Sequence, residues 1–114
     1  MSSGNKKPGA FFVSHRRIGN QFLPRMAPDD TGGAIVAWED YRNDGGADTY
    51  VQRIDGSGAT RWGNNGAVVS DAAGNRIYPE IVDNGSGGAI LTWVDHRSGN
   101  SDIYAQDVGA SGQQ

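Results

Sequence analysis

The chain contains no cysteine, so disulfides, thiol chemistry and cysteine-based zinc sites are excluded and the redox compartment is left open. With only two histidines it has no His/Cys cluster for zinc, and its glycine turns lack the spacing of a P-loop or a dinucleotide fingerprint. No stretch approaches the ~20 consecutive apolar residues of a membrane helix. The start, MSSGNKKPGA, lacks the apolar run of a signal peptide. A formal charge of -3 gives no broad basic field, which argues against a nucleic-acid surface. The one cationic segment is the first 17 residues, with Lys6, Lys7, His15, Arg16 and Arg17.

Glycine, by contrast, is abundant, with 18 in 114 residues. Together with many Asn, Asp and Ser residues it marks frequent tight turns, as in all-β proteins with short strands. The strongest signal is internal repetition. WEDYRNDGGADTYVQ, Trp38 to Gln52, returns as WVDHRSGNSDIYAQ, Trp93 to Gln106. The offset is 55 up to the loop and 54 after a single deletion opposite Gly46, and 14 of 38 paired positions are identical between Asn20–Gly58 and Asn75–Gly112. Self-similarity at this period means copies of one small module.

Residues 1–8 are polar and Gly/Ser/Lys/Pro-rich, which predicts a flexible start, and GAFFVS (9–14) within 9–19 is a short strand candidate. The first module, 20–74, begins with QFLPRMAP and continues through AIVAWED, DTYVQRI and a fourth strand over Ala67–Ser70. Ala34, Val36 and Trp38 alternate with Ile35 and Ala37, so both faces of the second strand are apolar and the sheet is expected to be covered on both sides. The second module, 75–114, repeats the first three strands. Four-stranded antiparallel modules of this period predict β-propeller blades, with a β-sandwich or prism as the alternative.

The pattern W-x-D-x-R, then D-x-Y-x-Q, then D-x-x-G-x-x-x-W (Asp55, Gly58, Trp62) is similar to repeats of bacterial and archaeal β-propellers, many of them extracellular. The resemblance covers Asn20 to Gly112 and implies an extracellular or cell-surface setting; it implies no particular function, because propellers serve as lectins, enzymes and scaffolds alike. The tail of the motif has no counterpart after Gly112. The second module thus reads as a blade short of its outer strand, while GAFFVSHRRIGN (9–20) matches GAVVSDAAGN (66–75) with two extra residues. Ala10, Phe11, Phe12, Val13 and Ser14 are therefore expected to complete the second blade of a neighbouring copy. Since a propeller needs ~4 to 8 blades, this predicts a head-to-tail homo-oligomer, a ring in preference to a filament.

Asp40, Arg42 and Asp48, repeated as Asp95, Arg97 and Asp102, read as a structural network in which carboxylates pair with an arginine and fix the loop between the second and third strands. Trp38 and Trp93 read as packing residues, and Gln52 and Gln106 as satisfying backbone groups between blades. The candidate ligand contacts are Trp62, beside a Gly-rich turn where an aromatic face can stack on a sugar ring, and Tyr41 and His96, the variable position inside a repeated frame. No carboxylate is singled out as an acid and no Ser/His/Asp order emerges, so an enzyme is not expected, nor any cofactor or metal; the Asp/Asn-rich loops do not follow EF-hand spacing. The expected function is a non-catalytic binding or assembly module, lectin-like with shallow repeated sites. Its alternatives are a purely structural subunit and a piece of a longer propeller protein.

Overall fold

A computed structural model describes residues 13, 20–42, 46–63, 65–69 and 75–114. Of the strand expected at Ala10 to Ser14, Ala10, Phe11, Phe12 and Ser14 lie outside the described residues, as does the start at 1–8; Val13 is half-buried.

The described chain is all-β, with no helix. β1 (Gln21–Pro28), β2 (Ala34–Asp40), β3 (Asp48–Ile54) and β4 (Ala67–Val68) form one antiparallel sheet in that order. β5 (Arg76–Asp83), β6 (Ala89–Asp95) and β7 (Asp102–Val108) form a second, three-stranded antiparallel sheet. The fourth strand is half the expected length, two residues against Ala67–Ser70, and Ser70 lies outside the described residues.

The two sheets share one register. Ala34 pairs with Ile54 and Asp40 with Asp48; at the same offsets Ala89 pairs with Val108 and Asp95 with Asp102. The first strand of each sheet carries one extra residue opposite the second, between Phe22 and Arg25 and between Ile77 and Glu80. Each irregularity surrounds a proline, Pro24 or Pro79, and the residue before it stands at positive φ, 55° at Leu23 and 56° at Tyr78. A residue before proline ordinarily adopts an extended conformation, so the left-handed one is a strained feature built twice into the same place.

Tight turns join the strands. A Cβ on Gly33 would collide with the carbonyl oxygen of Ile54, and one on Gly88 with that of Val108, so a glycine immediately precedes the second strand of each sheet because the third strand's backbone lies directly against it.

The sheets pack face to face. Ile35 and Ala37 of β2 and Val51 of β3 meet Ala89, Leu91 and Trp93 of β6 and Val108 of β7, with Trp62 and Val69 closing one side. Side-chain alternation assigns each sheet two faces. One contains the tryptophan, with Ala34, Val36 and Trp38 in β2 and Ala89, Leu91 and Trp93 in β6. The other contains Ile35 and Ala37 in β2, and Ile90, Thr92 and Val94 in β6. The core is thus the tryptophan face of the second sheet laid on the isoleucine face of the first.

Candidate functional site

The W-x-D-x-R loops have the same geometry in both sheets. Trp38 Nε1 donates to Asp40 Oδ2 at 2.8 Å, and Trp93 Nε1 to Asp95 Oδ2 at 2.9 Å. Arg42 donates through Nε to Oδ1 (2.8 Å) and Nη2 to Oδ2 (2.6 Å) of Asp40, and Arg97 repeats this on Asp95 at 2.9 and 2.7 Å. The arginine's own backbone N–H completes the set, bonding Oδ1 at 2.9 Å in each copy. Each guanidinium also lies over a tyrosine, Tyr50 at 3.8 Å and Tyr104 at 4.0 Å from the ring centroid, and that ring stacks on the tryptophan.

Four donors converge on each carboxylate, which has about four lone-pair positions. The Arg97 hydrogen bond, outweighing burial, holds the Asp95 carboxyl well below the usual carboxylate range, and Trp93 adds to the effect. Burial alone would raise Asp40, but Arg42 and Trp38 more than offset it. Such a carboxylate is favoured in its ionised form and fully engaged. It holds a loop, and has no free lone pair for proton transfer or for a ligand.

Asp48 and Asp102 diverge. Asp48 accepts from Arg76 Nη2 in a buried ion pair that joins the two sheets, and the neighbouring Thr49 Oγ1 donates to the Arg76 carbonyl at 3.1 Å. Asp102 is exposed and accepts from Ser98 Oγ at 2.7 Å. The glutamines diverge likewise. Gln52 is fully buried and satisfies backbone groups within its own module, donating to the Gly63 carbonyl (2.8 Å) and accepting from Trp62 N–H (2.8 Å) and Arg53 N–H (3.1 Å). Gln106 is half-buried and donates to the Asp107 carbonyl at 2.9 Å. These bonds lie within a sheet and its loops, whereas the sequence pointed to a role between blades.

Of the candidate ligand contacts, Trp62 is 7% exposed. Gly112 lies on its ring, its indole N–H donates to the Ala110 carbonyl at 3.3 Å, and it belongs to the core between the sheets. Its ring is committed to packing and presents no open face for a sugar. A hollow of about 350 Å³ beside it is lined by Arg53, Arg61, Trp62, Ala110 and Ser111, where both guanidiniums are already paired, Arg53 with Asp29 and Arg61 with Asp55. His96 is half-buried and shares a hydrogen bond with Ser101 Oγ at 2.8 Å.

Tyr41 has a richer setting. Its hydroxyl donates to Glu39 Oε1 at 3.2 Å, while Glu39 Oε2 accepts the Tyr78 backbone N–H at 2.8 Å, so one buried carboxylate links the two sheets. Burial first, and then the Glu39 charge, raises the Tyr41 pKa above the ordinary phenol value. Phe22 packs edge-on against Tyr41 at 5.7 Å. Phe22, Tyr41 and Tyr78 are all exposed, with Phe22 against the Tyr41 ring and both tyrosines bonded to the anchored Glu39 carboxylate, Tyr41 by its hydroxyl and Tyr78 by its backbone.

Comparison with protein-family models, curated proteins and solved structures returns no match.

Glu39, Tyr78 and Phe22 are absent from the sequence candidates. The signal for them was present: like Tyr41 and His96, they are positions where the copies differ in chemistry, Glu39 against Val94, Tyr78 against Leu23 and Phe22 against Ile77. Among the described residues no three His, Cys, Asp or Glu side chains are grouped to hold a metal ion, and no helix is long and apolar enough to cross a membrane.

Proposed function

We propose that this chain is a non-catalytic assembly module: a pair of β-propeller blades whose ring is completed head to tail by further copies, with the segment Ala10 to Ser14 of one copy adding the outer strand to the second blade of the next. The observation that carries this reading is the difference between β3 and β7. β3 has β4 along its outer edge, and the loop before β4 places Trp62 and Gly63 on Gln52. β7, the same strand in the second copy, is an edge among the described strands, with Asp102, Ile103, Ala105 and Asp107 exposed. An exposed regular edge with an apolar residue is a template for another strand. Multi-angle light scattering of the intact chain and of a form lacking residues 1–19 tests it. The intact chain is expected as a defined oligomer and the shortened form as smaller species; an intact chain that runs as a monomer of 12.1 kDa rejects the reading.

A second reading, lectin-like carbohydrate binding, is favoured by the surface of Phe22, Tyr41 and Tyr78 around Glu39, since exposed aromatic rings beside a fixed polar group suit a sugar's apolar face and hydroxyls. Repetition of that surface around a ring would multiply a weak affinity. A glycan array probed with the assembled protein is expected to give signals that Tyr78→Ala removes without changing the assembly. Absence of any signal for the assembled protein leaves the purely structural subunit.

A further inference from the structure

The two outer faces of the described sandwich are the two halves of the interface already present between its sheets. Inside the chain, the tryptophan face of the second sheet covers the isoleucine face of the first, burying Ile35, Ala37, Thr49 and Val51 completely. Shifted by the repeat offset, these positions are Ile90, Thr92, Ile103 and Ala105, on the isoleucine face of the second sheet. That face is open: Ile103 is 71% exposed, Val82 59% and Ile90 41%. At the opposite end the tryptophan face of the first sheet presents Ala34 and Val36 half-buried and Met26 exposed, with a hollow of about 290 Å³ lined by Met26, Ala27, Pro28, Gly33 and Ala34. On this second face Trp38, Tyr50 and Gln52 are already buried within the chain, so what it leaves open is the apolar patch of Ala34, Val36 and Met26; an open apolar sheet face at one end and an open apolar patch at the other are interaction surfaces.

We infer that the occupant of the second sheet's isoleucine face is the first sheet of another copy of this chain, docked in the register that the two sheets use internally. This rests on the assembly reading, and goes beyond it by fixing the face and the residue pairs. The internal contacts supply the register. Arg76 N–H donates to the Ala47 carbonyl at 2.8 Å, Ala47 N–H donates to Asn75 Oδ1 at 2.9 Å, and Arg76 pairs with Asp48. Carried over by the same offsets, Gln21 N–H of the second copy meets the Ser101 carbonyl, and Ser101 N–H meets Asn20 Oδ1. The residue types needed at these backbone-directed bonds are present: Asn20 is the same residue as Asn75, and Asn20, Ser101 and Asp102 are exposed. Charge agrees as well. Arg25 and Glu80 occupy equivalent positions and pair inside the chain at 3.3 Å, so the carried-over contact again sets Glu80 against Arg25. Such a contact is heterologous, using a different patch on each copy, and the copies must add head to tail.

The test uses the absence of cysteine in the chain. Asn20→Cys and Ser101→Cys are made separately, both at exposed positions. Under mild oxidation, a mixture of the two variants is expected to give a disulfide-linked pair containing one chain of each. Either variant alone is expected to give less than about a tenth of that yield, because each register contact brings position 20 to position 101 and never to itself. Ile103→Asp, at an exposed site where folding of the single chain is not at stake, is expected to lower the mass in light scattering to that of one chain while circular dichroism is unchanged. A wild type that assembles, with no mixed cross-link and with assembly unaffected by Ile103→Asp, overturns the docking face while leaving assembly through the exchanged strand standing. A wild type that is monomeric overturns both.

Discussion

The first and second sheets carry nearly the same strand pattern in very different surroundings. Tyr50 and Gln52 in β3 have identical counterparts in β7, Tyr104 and Gln106, and the registers of the two strands against their neighbours coincide. Yet five of the seven residues of β3 are buried and only Val108 of β7 is. Two features absent around the second sheet among the described residues account for this: an outer strand with the loop that feeds it, and a further sheet over the isoleucine face. The carboxylate, tryptophan and arginine bonds of the W-x-D-x-R network are intact in both, although in the first copy Arg42 Nη2 also donates to the Asn65 carbonyl of that loop at 2.8 Å. A repeat therefore separates what a blade supplies for itself from what its neighbours supply.

The largest way to break the comparison is at Trp93, whose ring lies in the core between the sheets. Trp93→Ala is expected to cost about 3–5 kcal/mol, read from urea unfolding, because it leaves a cavity where the two sheets meet. A loss below about 1 kcal/mol would mean that the sheets are not held together by this core.

Gln52 and Gln106 sharpen the contrast between covered and open strands. Gln52→Ala leaves the Gly63 carbonyl and the Trp62 N–H without their partner and is expected to cost about 1–3 kcal/mol. Gln106→Ala, at a half-exposed site with one local bond, is expected within about 0.5 kcal/mol of wild type in the unassembled chain. Equal losses would show that the open strand is covered in solution.

Acid titration probes the junction of the sheets. Burial would raise Asp29, but backbone N–H groups of Thr31 and Gly33 and the Arg53 guanidinium bring it down to about 2. A carboxyl depressed in the folded state contributes stability above its unfolded value of 3.8, and that contribution is lost as the pH falls toward 2. Unfolding free energy is thus expected to drop between about pH 4 and pH 2, with a shallower slope in Asp29→Asn; unchanged slopes would remove Asp29 from this role.

The smallest effect is expected at Tyr41. Tyr41→Phe removes one 3.2 Å hydrogen bond at an exposed ring and should shift stability by less than about 0.5 kcal/mol. If Tyr41 contacts a sugar, the same change lowers glycan binding while the fold is retained.

Much of the strand pattern was legible because the repeat marks it twice: a single offset change at Gly46 aligned every pairing of β2 with β3 to that of β6 with β7. The tryptophan positions and the pairing of Asp40 with Arg42 followed from identity between copies. What identity could not supply was environment. Gln52 and Gln106 are the same residue at the same register position, Gln52 opposite Val36 and Gln106 opposite Leu91, and the loop at Trp62 and Gly63 bonds only the first. Periodicity assigns a residue to a face without saying what lies over that face, which is why the sequence leaves Trp62 between blade-edge packing and a stacking contact for a sugar, and why the bond between Asp48 and Arg76 was missed. The aromatic surface was missed for a related reason: Tyr41 and Tyr78 are distant in sequence and are joined only through Glu39, whose partners come from two sheets.

The proline-bearing irregularities at Leu23–Pro24 and Tyr78–Pro79 have a directional consequence. A proline offers no N–H, and an extra residue twists the strand away from a flat partner. β1 and β5 are thereby poor templates for pairing, while β7 keeps a regular backbone. The second sheet accordingly has one blunted margin, β5, and one regular margin among the described strands, β7, so a chain that adds to it by strand pairing is directed to β7. In the proposed head-to-tail assembly the polarity of growth then follows from the backbone, and lateral pairing of two first strands is disfavoured at the same positions.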